Sequence, residues 1–150
     1  MELWDLYTEN KIKTGETHIR GNPLPKDKYH LVVNVWIKNS DGKYLISKRS
    51  RKKSRNPLKF ETVGAAAVKD ENSLQAAIRE TKEKVGIDLD TKTALDVYLF
   101  EYNGIVDLKN ATTDEVESIN WMTTDEIYDL SKKGLFVHTL EYCFEKVFSL

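Results

Sequence analysis

The sequence predicts an α+β domain, an α/β/α sandwich in which helices cover a mixed β-sheet. Three observations predict it. Residues 30–50 form a strand-turn-strand unit around Asn39-Ser40-Asp41-Gly42. An amphipathic pattern over 73–85 follows a loop of small residues. Further strand-like runs then lead into two helical patterns, an order suited to helices packed on a sheet.

The elements follow in chain order. LWDLY (3–7) and KTGETHIR (13–20) read as a short hairpin around Glu9-Asn10-Lys11, and Pro23 and Pro25 then interrupt regular structure. HLVVNVWIKN (30–39) is rich in β-branched and aromatic residues and is expected to be a buried strand. KYLISKRS (43–50) is its returning partner, followed by the basic loop RKKSRNP (51–57). KFETV (59–63) reads as a short strand running into the loop Gly64-Ala65-Ala66-Ala67. Asn72 or Ser73 caps a helix that runs to about residue 85, with Gly86 at the C′ position. Its predicted buried stripe is Leu74, Ala77, Ile78, Thr81 and Val85, leaving Ala76, Glu80, Glu83 and Lys84 on a solvated face. TALDVYLFEYNG (93–104) reads as one strand or two and VESINWMT (116–123) as another. A helix over 124–133 and a final amphipathic helix over 134–150 complete the chain.

With 150 residues the chain is expected to be one domain, comprising an N-terminal hairpin extension (1–29), a core (30–133) and the C-terminal helix (134–150). Net charge of −1, hydrophobic content of 40% and charged content of 31% are ordinary for a soluble protein, and no large nucleic-acid partner is expected. One cysteine, Cys143, excludes an internal disulfide and a cysteine zinc site. No apolar run approaches the ~18 residues of a membrane span, and the N-terminus lacks a signal-peptide core, so a cytoplasmic setting is expected.

The chemistry concentrates between residues 64 and 87. Glu80 and Glu83 lie three apart and share a helix face, where two carboxylates can hold a hard cation that takes oxygen ligands. Such an ion binds phosphate oxygens and activates water. The residues Glu71, Arg79-Glu80, Glu83, Gly86 and Ile87 resemble the box of the Nudix hydrolases, G-x5-E-x7-R-E-U-x-E-E-x-G-U, where U is bulky and aliphatic. The flanking VVNVWIKNSDGKYLISKRS, KFETVG and DEVESINWMTTDEI are similar to the family's lead-in and closing sections. The N-terminal segment resembles the isopentenyl-diphosphate-isomerase-like branch.

The resemblance implies a Nudix fold with a loop-helix-loop box, and hydrolysis of a nucleoside diphosphate linked to another moiety with Mg²⁺ or Mn²⁺. Carried over, Glu80, Glu83, the Ala65 carbonyl and Glu115 are the implied metal ligands, with Glu115 preferred over Glu117. Glu71 and Arg79 are the implied brace between loop and helix, counted with Glu80 and Glu83 in the catalytic set. Three positions depart from the box: Ala65 replaces its opening Gly, Thr81 its first aliphatic residue, and Lys84 its second consecutive Glu. Exchanging −1 for +1 changes the site by two charges, each worth roughly 4 kcal/mol per unit of ion charge at about 4 Å and an effective dielectric of ~20. Lys84 therefore predicts weak or altered catalysis; swinging into water or binding a substrate phosphate would not restore the lost ligand.

Arg49 is the member of the basic run 48–55 expected to face substrate. Trp36, Trp121 and Cys143 fit apolar settings, and His18, His30 and His138 show no zinc or triad spacing. Two alternatives to hydrolysis stand. One is a degenerate domain that binds a nucleotide or diphosphate without cleaving it. The other, less favoured, is isopentenyl diphosphate isomerase, whose chemistry uses a cysteine absent from KFETVGAAAV. The expected partner is a small-molecule diphosphate, with no membrane. A homodimer is left open by the exposed N-terminal hairpin.

Overall fold

The chain's first backbone hydrogen bonds build a small antiparallel sheet beside the main one. The structure is a computed structural model that describes residues 1–89 and 97–150. Strands β1 (Leu3–Tyr7), β2 (Lys13–Ile19) and β3 (Tyr29–His30) lie in the order β2-β1-β3. The expected hairpin is present, but it is tied to the rest of the chain. The backbone N–H of Lys69 donates to the Leu3 carbonyl at 2.8 Å. Asp5, nearly buried, accepts from the Asp70 N–H at 2.6 Å and pairs with Lys13 at 2.7 Å.

The main sheet is organised around the two strands of the predicted strand-turn-strand unit. β4 (Val32–Lys38) and β5 (Tyr44–Arg49) meet at Lys38↔Tyr44 beside the turn and then take separate neighbours. β4 carries β7 (Val63–Ala66) antiparallel on one edge and β8 (Val97–Glu101) parallel on the other. β5 carries β6 (Phe60–Glu61) and β9 (Val116–Met122), both antiparallel. Mixed pairing of this kind, with helices against it, matches the α+β expectation. Val33, Val35 and Ile37 pack with Val63, Ala77, Val85 and Tyr98 in one core. Trp36, Tyr44 and Ile46, from the opposite faces, pack with Ile127, Phe136, Phe144 and Val147 in another. The alternation of side chains along β4 is what feeds both cores.

Helix α1 (Ser73–Val85) opens with a capping box, Asn72 and Gln75 each accepting from the other's backbone N–H. It ends at Gly86, whose φ of 74° is left-handed and whose added Cβ would meet Asn110 Cβ at 2.5 Å. Helix α2 (Thr124–Lys132) has its own capping box from Thr123 and Glu126.

Five expectations are corrected. The run 30–39 breaks at Leu31, so that Tyr29–His30 joins β1 and only Val32–Lys38 joins the main sheet. KFETV is two strands, because β6 pairs with β5 whereas β7 pairs with β4. The small-residue loop is strand as far as Ala66, so the backbone at Ala65 is extended and needs no left-handed conformation. The face of α1 expected in solvent is covered except at Glu83: Ala76, Glu80 and Lys84 are buried while Leu74 and Ile78 are only half-buried, because the helix lies against β7 and β4. The single C-terminal helix is replaced by a 3₁₀ segment (His138–Cys143) and a short α3 (Phe144–Phe148). Its expected first turn is extended instead. Phe60 donates to the Leu135 carbonyl and accepts from the Val137 N–H, so residues 135–137 satisfy their backbone against β6. The expected strand over 93–104 is present as β8, with residues 93–96 lying outside the described residues.

Candidate functional site

The box residues meet in a cleft of about 340 Å³ between α1, the open edge of β7 and the segment before β9. Arg79 is the hinge of the arrangement. Its Nε and Nη2 donate to the two oxygens of Glu71 at 2.8 and 2.9 Å, a bidentate pair. Its Nη1 reaches Glu80 at 2.6 Å and Glu83 at 3.1 Å. Glu71 in turn accepts from the Val68 N–H at 3.1 Å, so the pair joins the loop to the helix. The Glu71 carboxylate beside Arg79, with Glu80 adding to it, holds the guanidinium well above its ordinary range. It is a permanent cation.

Lys84 occupies the centre of the cleft. Its side chain is only 9% exposed, so it does not extend into water. Its Nζ donates to the Gly64 carbonyl at 2.7 Å and lies 3.2 Å from Glu115 Oε2 and 3.5 Å from Glu80 Oε2. An ammonium has three protons, and here it faces three oxygens. Glu115 is held between two lysines, with Lys53 Nζ at 2.8 Å on its other oxygen. Burial alone would push the Glu115 carboxyl up, but hydrogen bonds and charge from Lys53 and Lys84 hold it down at about 2. The Ser50 N–H donates to the Glu115 carbonyl at 2.8 Å and fixes that segment beside β5.

The carbonyl facing the cleft belongs to Gly64, one residue before the expected Ala65. Neighbouring residues of a strand turn their backbone groups to opposite edges. The Ala67 N–H donates to Leu31 on the β4 side, so Gly64 and Ala66 turn to the open edge, where Lys84 and Arg79 reach them. Ala65 turns toward β4, pairing with Val33. Gly64 must be glycine: an added Cβ would meet the Val33 carbonyl oxygen at 2.6 Å.

Glu83 is the most exposed acid of this cluster, at 37%, and its carbonyl accepts from the Thr112 and Thr113 N–H groups at 2.8 and 3.2 Å. Glu115 lines the cleft, whereas Glu117 pairs with Arg51 outside it. Arg49 lines the cleft with its Nη1 on both oxygens of Glu61, at 2.8 and 2.7 Å. Trp36 and Cys143 are buried in the second core, and burial pushes the Cys143 thiol up. Trp121 packs on the first core.

Glu2 and Arg20, paired at 2.8 Å, also line the cleft, and the sequence carried no signal for them. They come from the N-terminal hairpin and reach the box only through the fold. The same hairpin bounds an adjoining cavity of about 600 Å³ that shares Arg20, Arg49, Lys53 and Ala66 with the cleft. Its lining adds Arg55 and Trp4, the latter stacked on His30 with ring centres 4.0 Å apart, and includes no acidic residue.

A divalent ion at the position framed by Gly64, Glu80 and Glu115 does not fit the side chains as they stand, because the Lys84 ammonium fills it. Among the described residues no set of three or more His, Cys, Asp or Glu side chains converges to hold a metal. No described helix is long and apolar enough to cross a membrane.

The family model described as the NUDIX domain matches residues 28–140. The protein named uncharacterized Nudix hydrolase lin0387, from Listeria innocua, is 39% identical over 150 residues, covering 91% of this chain and 89% of its own. The crystal structure of DR0079 from Deinococcus radiodurans superposes with a TM-score of 0.70 at 22% identity, covering 91% of this chain and 92% of that one. That of the MutT protein from Methanosarcina mazei does so with a TM-score of 0.65 at 20% identity, covering 81% and 93%. The chain belongs to the Nudix family, hydrolases that act on pyrophosphate bonds.

Proposed function

We propose that this protein hydrolyses the anhydride of a small-molecule diphosphate, with a nucleoside diphosphate linked to another moiety as the substrate class. The observation that carries the reading is the convergence of Glu80, Glu83 and Glu115 with Arg20, Arg49 and Lys53 in one cleft. Cations at the rim can neutralise a diphosphate, and the acids can handle a water. In the reaction the water oxygen bonds to phosphorus and the bridging P–O bond breaks. Glu83, the most exposed acid of the cluster, is the carboxylate suited to receive the water's proton. The moiety beyond the diphosphate would lie in the adjoining cavity. Trp4 and His30 offer an aromatic wall there and Arg55 a further cation, which suits an anionic or nucleotide-like group.

A second reading, binding without hydrolysis, is favoured by one observation. Lys84 stands inside the cleft at ion-pair distance from two of the acids. The two readings separate in one assay. Phosphate or monophosphate release is measured over a panel of nucleoside diphosphate derivatives, with Mg²⁺ or Mn²⁺, for the natural protein and for Lys84→Glu. Turnover by the natural protein supports hydrolysis. Turnover by Lys84→Glu alone supports the binding module, and no turnover by either folded protein removes the hydrolytic reading.

A further inference from the structure

Nudix hydrolases generally use divalent metals, and a cluster of acids with no counter-charge would explain such a need. This cleft has its counter-charge already. Its lining brings together the acids Glu2, Glu80, Glu83 and Glu115 with the cations Arg20, Arg49, Lys53, Arg79 and Lys84, so the ionised groups nearly balance without an ion. Lys84 is the deepest of the cations in ion pairs here, at 9% side-chain exposure, and its oxygen partners come from three separate elements: β7, α1 and the segment before β9. A hard divalent ion linking those elements would ask for the same oxygens, at about 2.0–2.4 Å rather than at hydrogen-bond distance. An ammonium and such an ion cannot share the ring, since like charges a few ångströms apart in a partly dry site repel strongly.

We infer that Lys84 is a tethered cation standing in for a divalent ion in this centre: its ammonium closes the ring of Gly64, Glu80 and Glu115, so the site is assembled without metal at that position. The inference rests on the Nudix reading of the site but not on turnover. The amino acid at one position of α1 then decides whether the ring holds its own charge or takes one from solution. A consequence is that the loop and helix stay joined in metal-free conditions. The cleft is then ready for a diphosphate even where divalent ions have been chelated.

The test uses Mn²⁺ alone, with no substrate, so its failure is distinct from failure of the hydrolytic reading. Calorimetric titration and thermal unfolding with Mn²⁺ or with EDTA are compared for the natural protein, Lys84→Glu and Lys84→Gln. The natural protein is expected to unfold at the same temperature with Mn²⁺ and with EDTA. Lys84→Glu is expected to bind one Mn²⁺ at least about 100-fold more tightly than the natural protein, given the reversal of a buried charge, and to gain thermal stability from it by linkage. Lys84→Gln removes only the positive charge and is expected to fall between them. Equal Mn²⁺ affinity in the natural protein and every folded variant would overturn the inference. Crystals of the natural protein soaked in Mn²⁺ decide the matter even if neither variant folds. An anomalous peak between the Gly64 carbonyl, Glu80 and Glu115, with Lys84 displaced, would overturn it, and its absence with Lys84 in place would support it.

Discussion

The Lys84 ammonium lies 2.7 Å from the carbonyl oxygen of Gly64, joining a helix to a strand edge twenty positions earlier in the chain. The contact depends on two independent facts. Gly64 has no side chain, so β7 can approach β4 closely, and the strand's alternation turns its carbonyl outward. Lys84 lies one turn after Glu80 on α1 and is long enough to reach that carbonyl from a buried position.

Gly64→Ala tests the first fact. The new methyl group would sit 2.6 Å from the Val33 carbonyl oxygen and force β7 away from β4. A loss of about 1–3 kcal/mol is expected, as for other overpacked sites. Urea denaturation measures it. Unchanged stability would mean that the two strands are not in this close register.

Arg79→Ala removes the single guanidinium that faces Glu71, Glu80 and Glu83. Glu71, at 11% exposure, would be left largely buried without its ion-pair partner. Breaking such a pair costs about 3–5 kcal/mol when fully buried, and partial solvent access at Arg79 places the expected loss at the lower end. The variant Glu71→Gln should lose less, because Arg79 keeps its other two acids. Chemical unfolding of the two variants should rank them in that order.

Glu115 gives the site a pH signature. Its carboxyl is held at about 2 by Lys53 and Lys84 against the opposing effect of burial. An unfolded chain titrates this group near the ordinary glutamate value of about 4.3. The folded pKa is the lower one, so its stabilising contribution is complete above about 4.3 and is lost as pH falls toward about 2. Glu115→Gln should flatten this part of the stability profile. Carboxyl NMR of the natural protein should show a midpoint near 2, and Lys53→Met should raise it.

Phe144 anchors the C-terminal segment. It is 4% exposed, with its ring edge-on to Trp36 at 5.9 Å and close to Phe136 and Phe148 at 5.3 and 5.1 Å. Phe144→Ala should cost about 3–5 kcal/mol, the usual range for a buried aromatic. Thermal unfolding reads the loss. A change below about 1 kcal/mol, the scale of an exposed position, would place the 3₁₀ segment and α3 outside the cooperative core.

Much of this protein is set by local sequence. Residues 3–19 pair as a hairpin, Asn72 and Gly86 bound a helix, and Thr123 starts another, because turns and caps act through neighbours in the chain. Glu71, Arg79, Glu80 and Glu83 assemble for the same reason: all but Glu71 share one helix, and a helix repeats its faces at fixed spacing. Tertiary structure decided the rest. Glu80 and Lys84 on the polar face of α1 are buried because β7 and β4 lie against the helix, which periodicity within the helix does not encode. The C-terminal helix gives up its first turn because Phe60 offers residues 135–137 better backbone partners. Glu2 and Arg20 reach the cleft through hairpin contacts with no sequence spacing to mark them. The direction of the Lys84 side chain was decided last, since a flexible four-carbon stem has no preference of its own until three oxygens from three elements surround its charge.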